Sequence, residues 1–270
     1  MCNSESLSVL DRLTDLDSGF PARCTTGDAM TETTGNLLLD SLEPSTRNTI
    51  LAHCKKVSLP MRSVLHEQGE MPVFGFFMCS GLASVVVTMA EGGSAEVGLV
   101  GCEGVVGAMH VLGPNPAPAE CFIQMPGSAL RIRMEDLRGF FQESEGFRNR
   151  MLEFIQEQTV TLGQLAACNK LHEAEERLAR WLLMARDREG MDTMPMTQEF
   201  LALMLGTRRT TVTLVAGELQ RKGLIEYTRG KVTILSREGL EIAACACYKV
   251  AKDALDMLYQ QNVAMSDGVR

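Results

Sequence analysis

The spacing of apolar and polar positions divides the chain into stretches of different texture. Residues 1–36 are polar, rich in Ser, Thr and Asp, and hold no sustained period, which predicts a mobile acidic tail. A short helical stretch, "GNLLLDSLEPSTRNTILAHCKK", follows. From Met61 to Arg133 short β-rich runs such as "VFGFFMCSG", "LASVVVTM" and "ECFIQMPG" alternate with glycine turns. Strands this short, with turns this frequent, predict a small antiparallel barrel or jelly roll over 37–145.

At Glu135 the period becomes helical. "FRNRMLEFIQEQTVTLGQLAACNK" places Leu152, Ile155, Thr159, Leu162, Ala166 and Asn169 at alternating steps of three and four. That is the a/d seam of a two-stranded coiled coil. A helix packed only on its own barrel is the alternative. The narrow seam, ending in small or polar residues, favours a two-fold dimerisation helix over 146–170.

A further amphipathic helix, "EAEERLARWLLMARDREG", closes at Gly190. In "MPMTQEFLALMLGTRRTTVTLVAGELQRKGLIEYTRGKVTIL", Thr197 is an N-cap, with Glu199 in the first turn. Phe200, Leu201, Met204 and Leu205 form the apolar stripe of that helix. Gly206 stops it, and Thr207 is placed to cap a second helix whose inward face is Val212, Val215, Ala216 and Leu219. "LIEYTRGKVTIL" alternates about Arg229-Gly230, as a two-stranded hairpin does. Helix, glycine turn, helix and hairpin together predict a winged helix-turn-helix over 171–240, with a helical extension over 241–270. The fold class expected is α+β: an antiparallel jelly roll, a long helix and a winged helix-turn-helix.

Composition adds three points. Of 270 residues 45% are hydrophobic and 22% charged, which describes a globular protein with real cores. No stretch has the continuous apolar length of a membrane span, and the first twenty residues lack the pattern of a signal peptide, so a cytoplasmic protein without a membrane partner is expected. The nine cysteines are scattered, Cys245 and Cys247 being closest, and the four histidines form no i,i+4 pair. The cysteines read as small buried apolar residues, and no metal site or cofactor is expected.

Charge changes the picture more. The chain carries a formal net charge of -8, yet residues 197–238 hold seven basic residues against four acids. A basic region inside an acidic protein points to a localised anionic partner. On a helical wheel the face opposite the apolar stripe holds Thr210, Thr213, Leu214 and Gly217, flanked by Arg209 and Thr211. Cations at a helix N-terminus oppose the macrodipole, and threonines are mediocre helix formers. Both choices make sense if that end enters a DNA major groove. There Arg209 can pair with guanine, the threonines can reach base edges, and Leu214 can touch a thymine methyl. Arg208, Lys222, Arg229 and Lys231, with Thr197 and Thr207 at the helix starts, are the expected phosphate contacts.

These residues resemble the Crp/Fnr family of transcription regulators over residues 37–240. The family's reading unit has a threonine before the first helix, a small residue within it and glycine at the turn. An Arg-x-Thr-Val tetrad follows, here Arg209-Thr210-Thr211-Val212, and the unit ends near Leu224-Ile225. The resemblance implies a bacterial, homodimeric, cytoplasmic regulator of transcription, not an enzyme. Its partners would be double-stranded DNA with a near-palindromic site, a second copy of the chain and RNA polymerase. Family members often carry glutamate where Thr210 stands and arginine where Leu214 stands, so a different DNA preference is expected.

The sensor departs further from the family. Cyclic-AMP-binding members use a glycine-rich turn with a glutamate for the ribose and an arginine for the phosphate. The matching stretch here, "GCEGVVGAMHVLG", keeps Gly104 and Gly107 but has Ala108 at the glutamate position. No Lys or Arg occurs from Ser63 through Leu130, so a buried phosphate would lack a cation. Gly104, Gly107 and Ala108 thus mark a candidate effector pocket that is not expected to take a cyclic nucleotide, although a glycine-rich backbone alone can nest an anion. Leu162 and Gly163 also lack the hydroxyls with which family members meet adenine. Cys2 and Cys24 are too far apart for the family's clustered iron–sulfur ligands. An unidentified small effector, or cysteine oxidation, is the alternative means of control.

Overall fold

The computed structural model describes residues 33–266, with side chains described to residue 259. The expected tail lies outside the described residues up to residue 32. Its last residues are fixed. Asn36 is fully buried, donates from Nδ2 to the carbonyls of Met78 (2.9 Å) and Gly104 (2.8 Å), and accepts from Leu39 N. A buried amide satisfied on both sides belongs to the folded domain and not to a tail.

Two short helices, α1 (Leu37–Asp40) and α2 (Pro44–Leu51), lead into an antiparallel six-stranded jelly roll. Its strands are β1 (Lys55–Leu59), β2 (Val64–His66), β3 (Phe74–Thr88), β4 (Ser94–Val100), β5 (Val105–Val106) and β6 (Glu120–Arg133). The long strands β3 and β6 pair along most of their length and bend together, so each serves both halves of the roll. The bend needs glycine. Gly81 has φ +80°, and a Cβ on Gly127 would come within 2.1 Å of the Ser80 carbonyl oxygen. Phe77, Met78, Ile123 and Ile132 fill the interior.

Helix α3 (Met134–Glu143) leads to α4 (Glu145–Leu171), capped by Ser144, whose hydroxyl accepts from Phe147 N. Twenty-seven residues make a rod about 40 Å long. Phe147, Met151 and Phe154 bury against the jelly roll. Leu152, Thr159, Leu162 and Ala166 lie on the exposed surface, Leu152 at 44% and Leu162 at 46%. Ile155 departs from the expected seam. Adjacent to Phe154 and 7% exposed, it falls in the stripe that faces the roll.

Helix α5 (Ala174–Glu189) starts at a capping box between Glu173 and Glu176 and ends at Gly190, in the left-handed conformation. Beyond it come β7 (Thr193–Pro195), α6 (Gln198–Met204), α7 (Arg209–Arg221), β8 (Ile225–Thr228), β9 (Lys231–Ile234), α8 (Arg237–Ala243) and α9 (Cys247–Ser266). The expected two-stranded hairpin is a three-stranded sheet in the order β7-β9-β8, because the three residues of β7 add to its edge. So short a strand leaves no period in the sequence.

The roll and the winged unit share apolar packing. Leu82, Val86, Leu99 and Met125 of the roll pack in one cluster with Trp181, Leu201, Val212 and Leu219. Polar groups cross the same boundary. Glu96 of β4 is fully buried and accepts from Trp181 Nε1 (2.7 Å) and from the Ser84 hydroxyl. Arg188 of α5 pairs with Glu103 at 2.8 Å, both side chains under 5% exposed. The helical extension is anchored as well. Leu258 of α9 joins the core of the roll, and the Tyr259 hydroxyl donates to the Glu103 carbonyl. No described helix is long and apolar enough to cross a membrane.

Candidate nucleic-acid interface

The turn between α6 and α7 is built by Gly206, whose φ of +54° lets the chain reverse within three residues. Thr197 caps α6, its hydroxyl accepting from Phe200 N at 3.2 Å. Thr207 does not cap α7. The N-cap is Arg208, with extended backbone and no side-chain capping bond. The first-turn N–H groups of α7 therefore remain without a side-chain acceptor, at a position where they attract an anion.

Val212, Ala216 and Leu219 bury the inward face of α7. Arg209, Thr210, Thr213 and Leu214 are exposed, Leu214 at 72%, an exposure with no role in the protein's own packing. Thr211 is half-buried at the flank. Arg209 is held in place: Nη1 pairs with Glu199 at 2.7 Å, and Nε donates to Gln198 Oε1 at 3.2 Å. The Thr213 hydroxyl donates to the same Gln198 oxygen at 3.1 Å. Tyr227 joins this face. Burial first, and then the negative charge of Glu199, raise its phenol above the ordinary value. Arg208 is exposed and makes no ion pair among the described residues.

Arg229 and Gly230 form the wing turn, both with positive φ (49° and 76°). Glycine or asparagine is the usual choice for such a turn. An arginine accepts backbone strain there, which is consistent with a task for its side chain beyond the turn. The wing tip lies beside the start of α6, since Met196 N donates to Gly230 O and a Cβ on Gly230 would sit 3.7 Å from Thr197. Thr197, Arg208, Arg209, Thr213, Arg229 and Lys231 thus gather around α6's first turn, the start of α7 and the wing. Lys222 does not. It lies at the other end of α7 and pairs with Glu175 of α5 at 2.5 Å. Gln198 and Tyr227 were missed in the sequence. A glutamine directly after the Thr197 cap was the available signal, whereas Tyr227 read only as a strand residue.

In the sensor, Gly104 lies under the ring of Phe154, so close that a Cβ there would fall 2.1 Å from Cζ. Ala108 is buried, and Gly107, at φ +93°, turns the chain into a 3₁₀ turn over Ala108–Val111. At the expected pocket, Gly104 is covered by the Phe154 side chain of α4.

Comparison with known proteins bears on this geometry. Residues 56–144 match the model of the cyclic nucleotide-binding domain, and residues 176–242 that of the Crp-like helix-turn-helix domain. The two matches stand in the family's order, on either side of a long helix. The chain belongs to the Crp/Fnr family. Within it, 58 residues are 40% identical to the transcriptional regulator SdrP of Thermus thermophilus, a match covering 22% of this chain and 29% of that one. The chain thus spans under a third of the length of that relative. Two solved structures share the fold. The c-di-GMP-responsive regulator CLP of Xanthomonas campestris is 18% identical, with a TM-score of 0.60 over 72% of this chain and 100% of that one. TTHB099 of Thermus thermophilus is 20% identical, with a TM-score of 0.59 over 70% and 96%.

Proposed function

We propose that the protein is a cytoplasmic, sequence-specific DNA-binding regulator of transcription that acts as a homodimer on a near-palindromic site. One observation carries the reading. Arg208, Arg209, Thr210, Thr213 and Leu214 are exposed on the open first turns of α7, with two further cations at the adjacent wing tip. Arg209 and Thr213, steadied by Gln198 and Glu199, read bases, and Arg208, Arg229 and Lys231 meet phosphates. Selection of bound sequences from random duplex DNA tests this directly. A near-palindrome with half-sites about one helical turn apart is expected, and recovery of no consensus would overturn it. Arg209→Ala is expected to cost about 1–3 kcal/mol and to relax preference at one base position, whereas Lys231→Ala weakens binding to all sequences and lowers the salt slope by about 1. Equal loss on every sequence in the Arg209 variant would remove it from the base readers.

The exposed stripe Leu152, Thr159, Leu162 and Ala166 supports pairing of α4 with the same helix of a second copy, RNA polymerase being a later partner of that dimer. Leu162→Glu puts like charges opposite each other across such a seam. The variant is expected to sediment as a monomer and to bind a full site no more tightly than a half-site. A dimer undisturbed by the glutamate would place the interface elsewhere.

We also infer that the sensor takes no cyclic nucleotide. Phe154 over Gly104 and the absence of Lys and Arg from 63 to 130 support this. Calorimetry with cyclic AMP is expected to give no heat of binding, and a saturable isotherm would reverse the inference.

A further inference from the structure

The cysteines that look scattered in sequence are not scattered in space. Cys168 lies in the last turn of α4, and His172, four residues on, caps that helix. Cys245 and Cys247 lie where α8 passes into α9, at a turn closed by Tyr248 N donating to Cys245 O. Cys168 and Cys245 are 77 residues apart, yet their sulfurs are 3.4 Å apart. Cys247 Sγ is 3.5 Å from His172 Nδ1, and all four donor atoms lie within 4.8 Å of one another. The three cysteines are at most 5% exposed and the histidine is half-buried.

These distances match a known geometry. A tetrahedral ion about 2.3 Å from sulfur and about 2.0–2.1 Å from nitrogen sets edges of about 3.8 Å between sulfurs and about 3.6 Å from sulfur to nitrogen. The two short contacts already lie within a few tenths of an ångström of those edges. An iron–sulfur cluster distributes its thiolates over several irons and needs them farther apart.

The surroundings give an independent reason. Arg180 of α5 is 4% exposed, makes no ion pair among the described residues, and its Nε has no hydrogen-bond partner. Its charge acts on both Cys168 and Cys245, while Glu96, which also feels it, gives its oxygens to Ser84 and Trp181. A buried cation calls for a counter-charge. Three thiolates, one neutral imidazole and a divalent ion sum to -1, which Arg180 balances. Gln164 Nε2 donates to Cys247 Sγ at 3.1 Å, the kind of outer bond that orients a thiolate ligand.

We propose that Cys168, His172, Cys245 and Cys247 bind one thiophilic divalent cation of the zinc class in a closed tetrahedral site. With four protein ligands there is no open position for substrate, so the ion is structural. It ties the break between α4 and α5, at His172, to the start of α9. The angle between the long helix and the reading unit is then fixed by metal.

Titration of the full-length, fully reduced chain with cobalt(II) and then zinc(II) tests the site. One equivalent of cobalt per chain is expected, with the strong visible bands of tetrahedral thiolate coordination, bleached by zinc. Chelation is expected to lower the melting temperature. Cys247→Ser and His172→Ala, checked for fold by far-ultraviolet circular dichroism, should each weaken cobalt binding at least tenfold, whereas Cys54→Ser should not. Because the titration of the unaltered chain stands alone, failure of a variant to fold leaves the test intact. A reduced chain that gives no tetrahedral spectrum, or binding unaffected by both ligand variants, would overturn the proposal. A Cys168–Cys245 disulfide formed on air exposure, with no cobalt bound before it, would do so too and would make the cluster a redox pair.

Discussion

Replacing Arg188 with methionine is expected to destabilise the protein by about 3–5 kcal/mol, the range for removing one partner of a buried ion pair. Arg188 Nε donates to Glu103 Oε1 at 2.8 Å and Nη1 to the Met184 carbonyl at 3.2 Å. Gly101 N donates to the same Glu103 oxygen, and Oε2 has no hydrogen-bond partner. Glu157, 5% exposed, also faces Arg188, and burial raises its carboxyl above the ordinary value. Without the guanidinium, two buried carboxylates would face each other with no cation between them. Methionine fills similar apolar volume, so lost packing is a minor part of the cost. Urea unfolding measures the difference. Arg188→Met with Glu103→Gln should recover most of it. A loss under 1 kcal/mol in the single variant would show that the pair holds nothing together.

That ion pair also marks where the sequence was legible and where it was not. The strands of the roll, the long helix and the helix-turn-helix were readable because each is a local period, and Gly190, Thr197 and Gly206 gave stop or start signals, whereas the Ser144 cap of the long helix did not stand out. The outward face of α7 was readable for the same reason. A residue opposite Val212, Ala216 and Leu219 must face solvent or a partner.

What could not be read was set by distant residues. The stretch from 63 to 130 has no Lys or Arg of its own, but a cation reaches Glu103 from α5, 85 residues away. Arg209 was legible as a base reader, but its pairing with Glu199 depends on how α6 packs beside α7. Thr207 had the chemistry of a cap, yet the turn needed one more residue, and the cap fell on Arg208. Ile155 satisfied the seam's spacing, but an individual helix turns at 3.6 residues and the roll claimed it. Cys168 and His172 are four residues apart and Cys245 and Cys247 two apart, but no spacing shows that these two pairs meet, because that depends on α9 folding back along α4.

Raising the pH from 5 to 8.5 is expected to weaken the joint between the roll and the reading unit through Glu96. Its burial raises the carboxyl to about 7, against which the bonds from Ser84 and Trp181 and the charges of Arg180 and Arg188 act more weakly. The folded state therefore holds a proton that the unfolded chain, with an ordinary glutamate, has released. The stabilising contribution is complete at pH below the unfolded value and is lost as pH rises through about 7, the reverse of a salt-bridged carboxylate. A shift of this size corresponds to about 3 kcal/mol over the whole range. Burial and Glu103 likewise raise Glu189 to about 7, and burial lowers His66 to about 4, so the raw curve mixes several groups. Glu96→Gln isolates the one that matters. The amide is neutral throughout and can keep the Trp181 bond, so the difference in stability between the two proteins should fall from pH 5 through about 7 and level off above it. A difference that is flat, or rises with pH, would mean that Glu96 is ionised in the fold. The side chain reaches both Ser84 on β3 and Trp181 on α5, so its proton affects the packing between the roll and the helices beyond it.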